Sequence, residues 1–252
     1  MRFFQKSADS SPAAAQGETG GIAQAASRFD WRRGIDLLAS VSMIGVALVL
    51  LVNGRVFPAE APRKSVTLPV EPVPLDGLAT KGSRQSPVGL IMYSDFECPF
   101  CRRFAVDVLP VVQRDLIETG LLLVAFKHLP LESIHRRALA SATLAECANR
   151  RGEFWKVHDR LFSAAALSTA MIDALTLEVG FNQESSCLAG DGIAIVREHQ
   201  KSAEAMGISG TPAFLLGPLQ TDGRVLVKRA LRGFQSAAAI AAAVKAMKPA
   251  TQ

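Results

Sequence analysis

Hydrophobic positions along this chain follow several distinct rhythms. From Leu37 to Gly54 no residue is charged, and Leu, Val, Ile, Ala and Met dominate. That is the ~17–25 apolar residues a helix needs to cross a bilayer's hydrocarbon core. The run VGLIMYSDF at 88–96, short, rich in Val, Ile and Tyr and preceded by Pro87, predicts a buried strand. From Pro99 onward Phe100, Phe104, Val108, Val111, Val112 and Leu116 recur at helical spacing, with Pro110 inside the pattern predicting a kink because it lacks an N–H. LLLVAFKHL at 121–129 predicts a second strand. This β-α-β order implies a parallel pair with a right-handed crossover.

The period then changes. Residues 132–206 read as helical almost throughout: Ser133–Arg150, a break at Gly152, EFWKVHDRLF, then TAMIDALTLEVG closed by Gly180, and IAIVREHQKSAEAMG closed by Gly207. Glycine suits the left-handed residue that ends a helix. Strands return with PAFLLG and RVLVKRAL, joined through Asp222-Gly223, a strong turn signal. Ser236 caps a last helix with Ile240, Val244 and Met247 facing inward. No repeat of about 20–50 residues is present.

Before the apolar segment, residues 1–34 are rich in Ala, Ser, Gly and Gln and are expected to be a disordered cytoplasmic stretch. Arg2, Lys6, Arg28, Arg32 and Arg33 outnumber Asp9, Glu18 and Asp30 there. The positive-inside bias puts this end in the cytoplasm and everything after residue 54 outside. A single transmembrane anchor over 35–54 follows, with Trp31 at the interface. A cleaved signal peptide ending at the AEA of Ala59–Ala61 is the competing reading. The apolar run exceeds the ~7–15 residues of a signal core, which favours an uncleaved anchor. The expected location is the cell inner membrane, with the domain after the anchor periplasmic. Residues 53–87 carry six of the thirteen prolines, so 55–73 reads as a proline-stiffened tether, VPLDGL as an edge strand, and 74–252 as the domain. The net charge of +5 over 252 residues is scattered, which argues against a nucleic-acid track.

Candidate chemistry lies in YSDFECPFCRRF, residues 93–104. One C-x-x-C supplies two of the four ligands a structural zinc site wants, and no second pair exists. Haem attachment needs His after the second cysteine, where Arg102 stands. Redox chemistry fits better. Cys98 at a helix start sits among unpaired N–H groups that favour thiolate, Cys101 lies one turn deeper, and Pro99 suits the first turn. Arg102 and Arg103 add positive potential, and Asp95 and Glu97 are expected to oppose it. A bridge spanning two residues restrains little chain, which argues against a staple. Thr211-Pro212, at the start of a strand, suits a cis bond. Cys147 and Cys187 form either a structural disulfide across the helical block or two buried thiols. His135, His158 and His199 read as core or solvated residues, and Phe154, Trp155 and Phe162 as core.

YSDFECPFC, HLPLESIHRRALASATLAECANRRGEFWKVHDRLF and AMGISGTPAFLLG, in that order, resemble the DsbA-type thiol-disulfide oxidoreductases. The resemblance implies an α/β thioredoxin-like fold with an inserted all-helical block at about 132–206, here preceded by a transmembrane helix. It implies that Cys98 is the attacking cysteine, Cys101 the resolving one and Pro212 the cis-proline beside them, with Pro99, Phe100 and Thr211 as modulating residues. Many strongly oxidising members carry His where this chain has Phe100, so a milder oxidant is expected. Thr211 also resembles isomerase and reductase relatives.

The chain is therefore expected to be a membrane-anchored extracytoplasmic thiol-disulfide oxidoreductase that uses neither cofactor nor metal. Its partners would be exported protein substrates and a membrane redox partner that resets the site. The alternatives are a reductase or isomerase of the same fold, or a non-catalytic anchored chaperone or metal-binding module.

Overall fold

The structure, a computed structural model, describes residues 31–52, 65–182 and 185–247, with side chains in the first segment described over 40–50. The expected disordered stretch before residue 31 and the alternative cleavage site at 59–61 lie outside the described residues. The chain divides into two units, residues 1–62 and 63–252. In the first, helix α1 runs Trp31–Val52 over the expected anchor. Among the described residues no helix is long and apolar enough to cross a membrane, so the transmembrane anchor expected over 35–54 is not shown by the structure.

The second unit is built on a five-stranded sheet. Its strands are β2 (Thr80–Lys81), β3 (Val88–Ser94), β4 (Leu122–His128), β5 (Ala213–Pro218) and β7 (Arg229–Arg232), and β1 (Val73–Pro74) pairs with β6 (Arg224–Val225) in a separate ribbon. The spatial order is β2-β4-β3-β5-β7. Strands β3 and β4 are parallel, in register from Val88↔Leu122 to Ser94↔His128, and the other neighbours are antiparallel. Every residue of β3 is buried, because both faces of the sheet are covered. Leu90, Met92, Val124, Phe126, Phe214 and Leu216 point to one core. Ile91, Tyr93, Leu123, Ala125 and Leu215 alternate with them into the other, the period of two that a pleated strand imposes.

The helix after β3 is not uniform. It runs as α2 (Pro99–Arg103), a π-helical turn (Phe104–Val108), α3 (Leu109–Val112) and a second π turn (Gln113–Ile117). The Leu109 amide reaches back to the Phe104 carbonyl, so the disturbance expected at Pro110 is taken up in the turn before it. The helical block comprises α4 (Ala138–Asn149), α5 (Phe154–Ser163), α6 (Thr169–Glu178) and α7 (Gly192–Ala205), the last preceded by a π turn, Cys187–Asp191. Gly152 and Gly180, both at φ 75°, end α4 and α6 as expected. Helix α8 (Ala237–Met247) closes the fold, with the Ala239 amide donating to the Ser236 hydroxyl at 3.2 Å.

Three expectations need correction. The helix read from Ser133 begins only at Ala138, because the carboxylates of Asp95 and Glu97 take the backbone amides of Leu131 and Arg137. The strand RVLVKRAL is split into β6 and β7. Between them the chain crosses Gly217, where a Cβ would lie 1.8 Å from the Leu226 carbonyl oxygen; only glycine admits so close an approach. The tether does not extend to residue 73. Val66 and Leu68 pack on the second core, and the Thr67 amide donates to the Met206 carbonyl at 3.0 Å.

Candidate active site

The site forms where β3 ends. The Glu97 amide donates to the Asp95 carboxylate at 2.8 Å and the Cys98 amide to the Asp95 carbonyl at 3.2 Å, a side-chain-closed turn of the kind Asp favours. Cys98 (φ −72°, ψ 122°) is the residue on which α2 starts, with Pro99 in its first turn. Both cysteines are free thiols and nearly inaccessible, Cys98 at 4% and Cys101 at 1% exposure. Phe100 between them is 56% exposed.

The two sulfurs stand in opposite electrostatic situations. The Cys98 thiol is held down at about 6, chiefly by a hydrogen bond from Cys101, against the opposing cost of burial. The Thr211 side chain and the backbone amides of Cys101 and Phe100 help. Cys101 is pushed up, first by burial and then by the neighbouring Cys98 sulfur, with Ser94 and the Asp95 amide acting weakly the other way. One thiolate shared between two sulfurs, resting on the outer one, is the state that attacks a disulfide.

The second wall is the loop before β5. Helix α7 ends at Met206–Gly207, with Gly207 at φ 69° and the Ile208 amide returning to the Ala203 carbonyl at 2.9 Å. The chain then turns through the cis Thr211-Pro212 bond, and the Gly233 amide holds the Pro212 carbonyl at 2.8 Å. The Thr211 carbonyl thereby faces Cys98 at 3.4 Å. Cys98, Cys101, Thr211 and Pro212 are thus brought together from segments far apart in sequence. Beside Pro99 a cleft of about 340 Å3 opens between Arg102, Arg137 and the stretch Ala164–Leu167.

Cys147 and Cys187 lie apart from this site and are bonded to one another, joining α4 to the π turn before α7. Phe154 and Phe162 are buried in the core, and Trp155 donates its indole N–H to the Thr80 carbonyl at 2.8 Å. His158 and His199 are buried. His199 accepts the His128 amide at 3.2 Å, and burial holds it far below the usual imidazole range, at about 2.

Sequence reasoning missed the role of the acidic neighbours. Asp95 and Glu97 are engaged in the site's scaffold. Asp95 is 1% exposed and bonded to His135 at 2.7 Å, and Glu97 pairs with Arg137 at 3.5 Å. The one local signal was an Asp two residues before Glu97 at a strand end, a side-chain turn motif. Among the described residues no group of three or more His, Cys, Asp or Glu could hold a metal ion.

Fold and site together define a thioredoxin-fold dithiol protein with a helical insertion, the DsbA-like form of that fold. A family model described as Thioredoxin matches residues 77–230, and the chain belongs to that family. The solved structure of Wolbachia pipientis alpha-DsbA1 superposes with a TM-score of 0.60 at 19% identity, covering 69% of this chain and 92% of that one. Oxidised BdbD from Bacillus subtilis gives 0.59 at 17%, covering 73% and 98%. Among curated relatives, the Na(+)/H(+) antiporter NhaA 3 of Salinispora tropica is 28% identical over 189 residues, 70% of this chain and 28% of that protein. The disulfide bond formation protein D of Bacillus subtilis is 27% identical over 88 residues, 35% of this chain and 40% of that protein. The chain spans about a quarter of the length of the antiporters it matches.

Proposed function

We propose that this chain is a thiol-disulfide oxidoreductase that forms or exchanges disulfides in exported proteins, with Cys98 as the attacking and Cys101 as the resolving residue. One observation carries the reading: Cys98 at the start of α2, with Cys101 one turn deeper, meets the cis Thr211-Pro212 loop, whose Thr211 carbonyl lies 3.4 Å from the Cys98 sulfur.

The chemistry balances without a cofactor. In the oxidised protein a client thiolate attacks the Cys98 sulfur of the Cys98–Cys101 bond. A mixed client–Cys98 disulfide forms, and Cys101 leaves as thiolate and takes up a proton, as its raised affinity requires. A second client thiolate then attacks the client sulfur of the mixed disulfide and releases Cys98 as thiolate. The client loses two electrons and gains a disulfide, and the protein is left reduced, with Cys98 as thiolate and Cys101 as thiol. Cys98's low proton affinity makes it a good leaving group in that last step. A membrane redox partner must then take the two electrons. Exposed Phe100 and the cleft beside Pro99 offer the client chain apolar and polar contacts.

The domain works outside the cytoplasm, tethered in the cell inner membrane by the apolar segment read at 35–54. The uncharged run from Leu37, the arginines before it and the buried Cys147–Cys187 disulfide support this setting, since such bonds persist in oxidising compartments.

The test is redox equilibration of the full chain, in detergent, with graded glutathione, followed by trapping and mass analysis. A reversible Cys98–Cys101 couple is expected, with a potential between the ~−120 mV of a strong oxidant and the ~−270 mV of thioredoxin. Cys98→Ser should abolish turnover of a reduced model client. Full turnover in that variant overturns the proposal and leaves a non-catalytic chaperone as the reading.

A further inference from the structure

We propose that Asp95 is a positioning residue of the dithiol, its buried carboxylate locking the backbone that contacts both cysteines to the entrance of the helical insertion. This rests on the oxidoreductase reading and adds to it the group that holds the site in shape. The backbone of Asp95 touches both sulfur-bearing residues: its carbonyl accepts the Cys98 amide at 3.2 Å, and its amide points at the Cys101 sulfur. Its side chain is fully buried. One carboxylate oxygen accepts the Glu97 amide at 2.8 Å. The other accepts the Leu131 amide at 2.8 Å and is bonded by His135 Nδ1 at 2.7 Å.

Three donors on one buried carboxylate fix its position, because charge-assisted hydrogen bonds are short and strong. Two come from a segment 36 and 40 residues away, so the cysteine turn is held by the start of the helical block. Glu97 repeats the tie one step along, taking the amide and guanidinium of Arg137. Such supporting bonds keep a reactive group within the narrow tolerance that its chemistry needs. The direction of the effect separates positioning from charge. Removing a nearby negative charge would by itself ease ionisation of Cys98, whereas loosening the turn withdraws the amides and thiol that hold the thiolate.

The experiment measures the pH dependence of Cys98 alkylation and of ultraviolet thiolate absorbance in the reduced full chain in detergent. It compares wild type with Asp95→Ala, His135→Ala and His135→Asn, with thermal melting as a check on folding. Asp95→Ala should move the Cys98 midpoint upward, toward that of an ordinary thiol. His135→Ala, which removes one donor of three from a partly exposed position, should move it less in the same direction. His135→Asn, which restores a donor near the Nδ1 position, should return it to the wild-type value. If Asp95→Ala does not fold, the two His135 variants decide the matter. A downward or unchanged midpoint in the folded variants, whatever their melting temperature, overturns the positioning role. Failure of wild type to equilibrate with glutathione overturns the oxidoreductase reading instead.

Discussion

The Cys98 sulfur lies 3.4 Å from the Thr211 carbonyl oxygen, 113 residues away in sequence. As a thiol Cys98 donates to that carbonyl. As a thiolate it cannot, and it relies instead on Cys101, the Thr211 side chain and two backbone amides. Losing the proton therefore removes this donor from the Thr211 carbonyl at the moment the sulfur becomes reactive.

That exchange sets the pH dependence. Alkylation of Cys98 in the reduced chain should follow a midpoint of about 6, not the ~8.5 of a free thiol. A depressed acid contributes stability that is complete above its unfolded value and is lost as pH falls through its folded one. Cys101, raised, acts in the opposite sense above ~8.5. Thermal melts should show reduced wild type gaining on Cys98→Ser between about pH 6 and about pH 8 and losing that gain in more acid buffer.

Phe100 can give Cys98 neither a side-chain hydrogen bond nor a charge. Phe100→His supplies a donor at a half-exposed position. A hydrogen bond to a charged group contributes ~1.5–3 kcal/mol, which for a two-electron couple raises the potential by about 30–60 mV. Glutathione titration of the variant should show a more oxidising protein, and an unchanged or lower potential would count against Phe100 as a modulating residue.

His199 should shape the acid limb of stability. Folded His199 takes up a proton only near pH 2, while the unfolded residue does so through ~6.5. Its contribution is whole above that value and declines by about 1.4 kcal/mol per pH unit below it. His158, also held low by burial, acts in the same direction. His199→Asn keeps an acceptor for the His128 amide and removes the titration, so urea melts across acid pH should show a flatter, not a flat, decline.

The Cys147–Cys187 bond closes a loop with a sequence separation of 40, worth about 4 kcal/mol in the chain-entropy account. The double variant Cys147→Ala with Cys187→Ala should lose about that much in denaturant while the Cys98 alkylation midpoint stays in place. A moved midpoint would show that the block's internal bridge also governs the reactive sulfur.

Much of this arrangement is legible in the sequence because it is periodic or local. Strands β3 and β4 announce themselves as apolar runs, and Gly180 and Gly207 mark helix ends where a left-handed residue is needed. The cysteine pair and Thr211-Pro212 are each read from a few adjacent residues. What escapes is what one segment does to another. Residues 132–137 have helical composition, yet Asp95 and Glu97 hold neighbouring amides and delay the helix to Ala138. RVLVKRAL reads as one strand, and the close passage of Leu226 over Gly217 that divides it appears in neither segment alone.

The sheet order has a last consequence. The outer side of β4 is occupied by β2, whose Thr80 carbonyl is taken by Trp155, and the far edge is the short β7, with exposed Arg229 and Arg232 at its ends. Short or charged borders discourage strand addition by strangers. Under the proposed function, such borders let the domain exchange sulfur with unfolded client chains without seeding their aggregation onto itself.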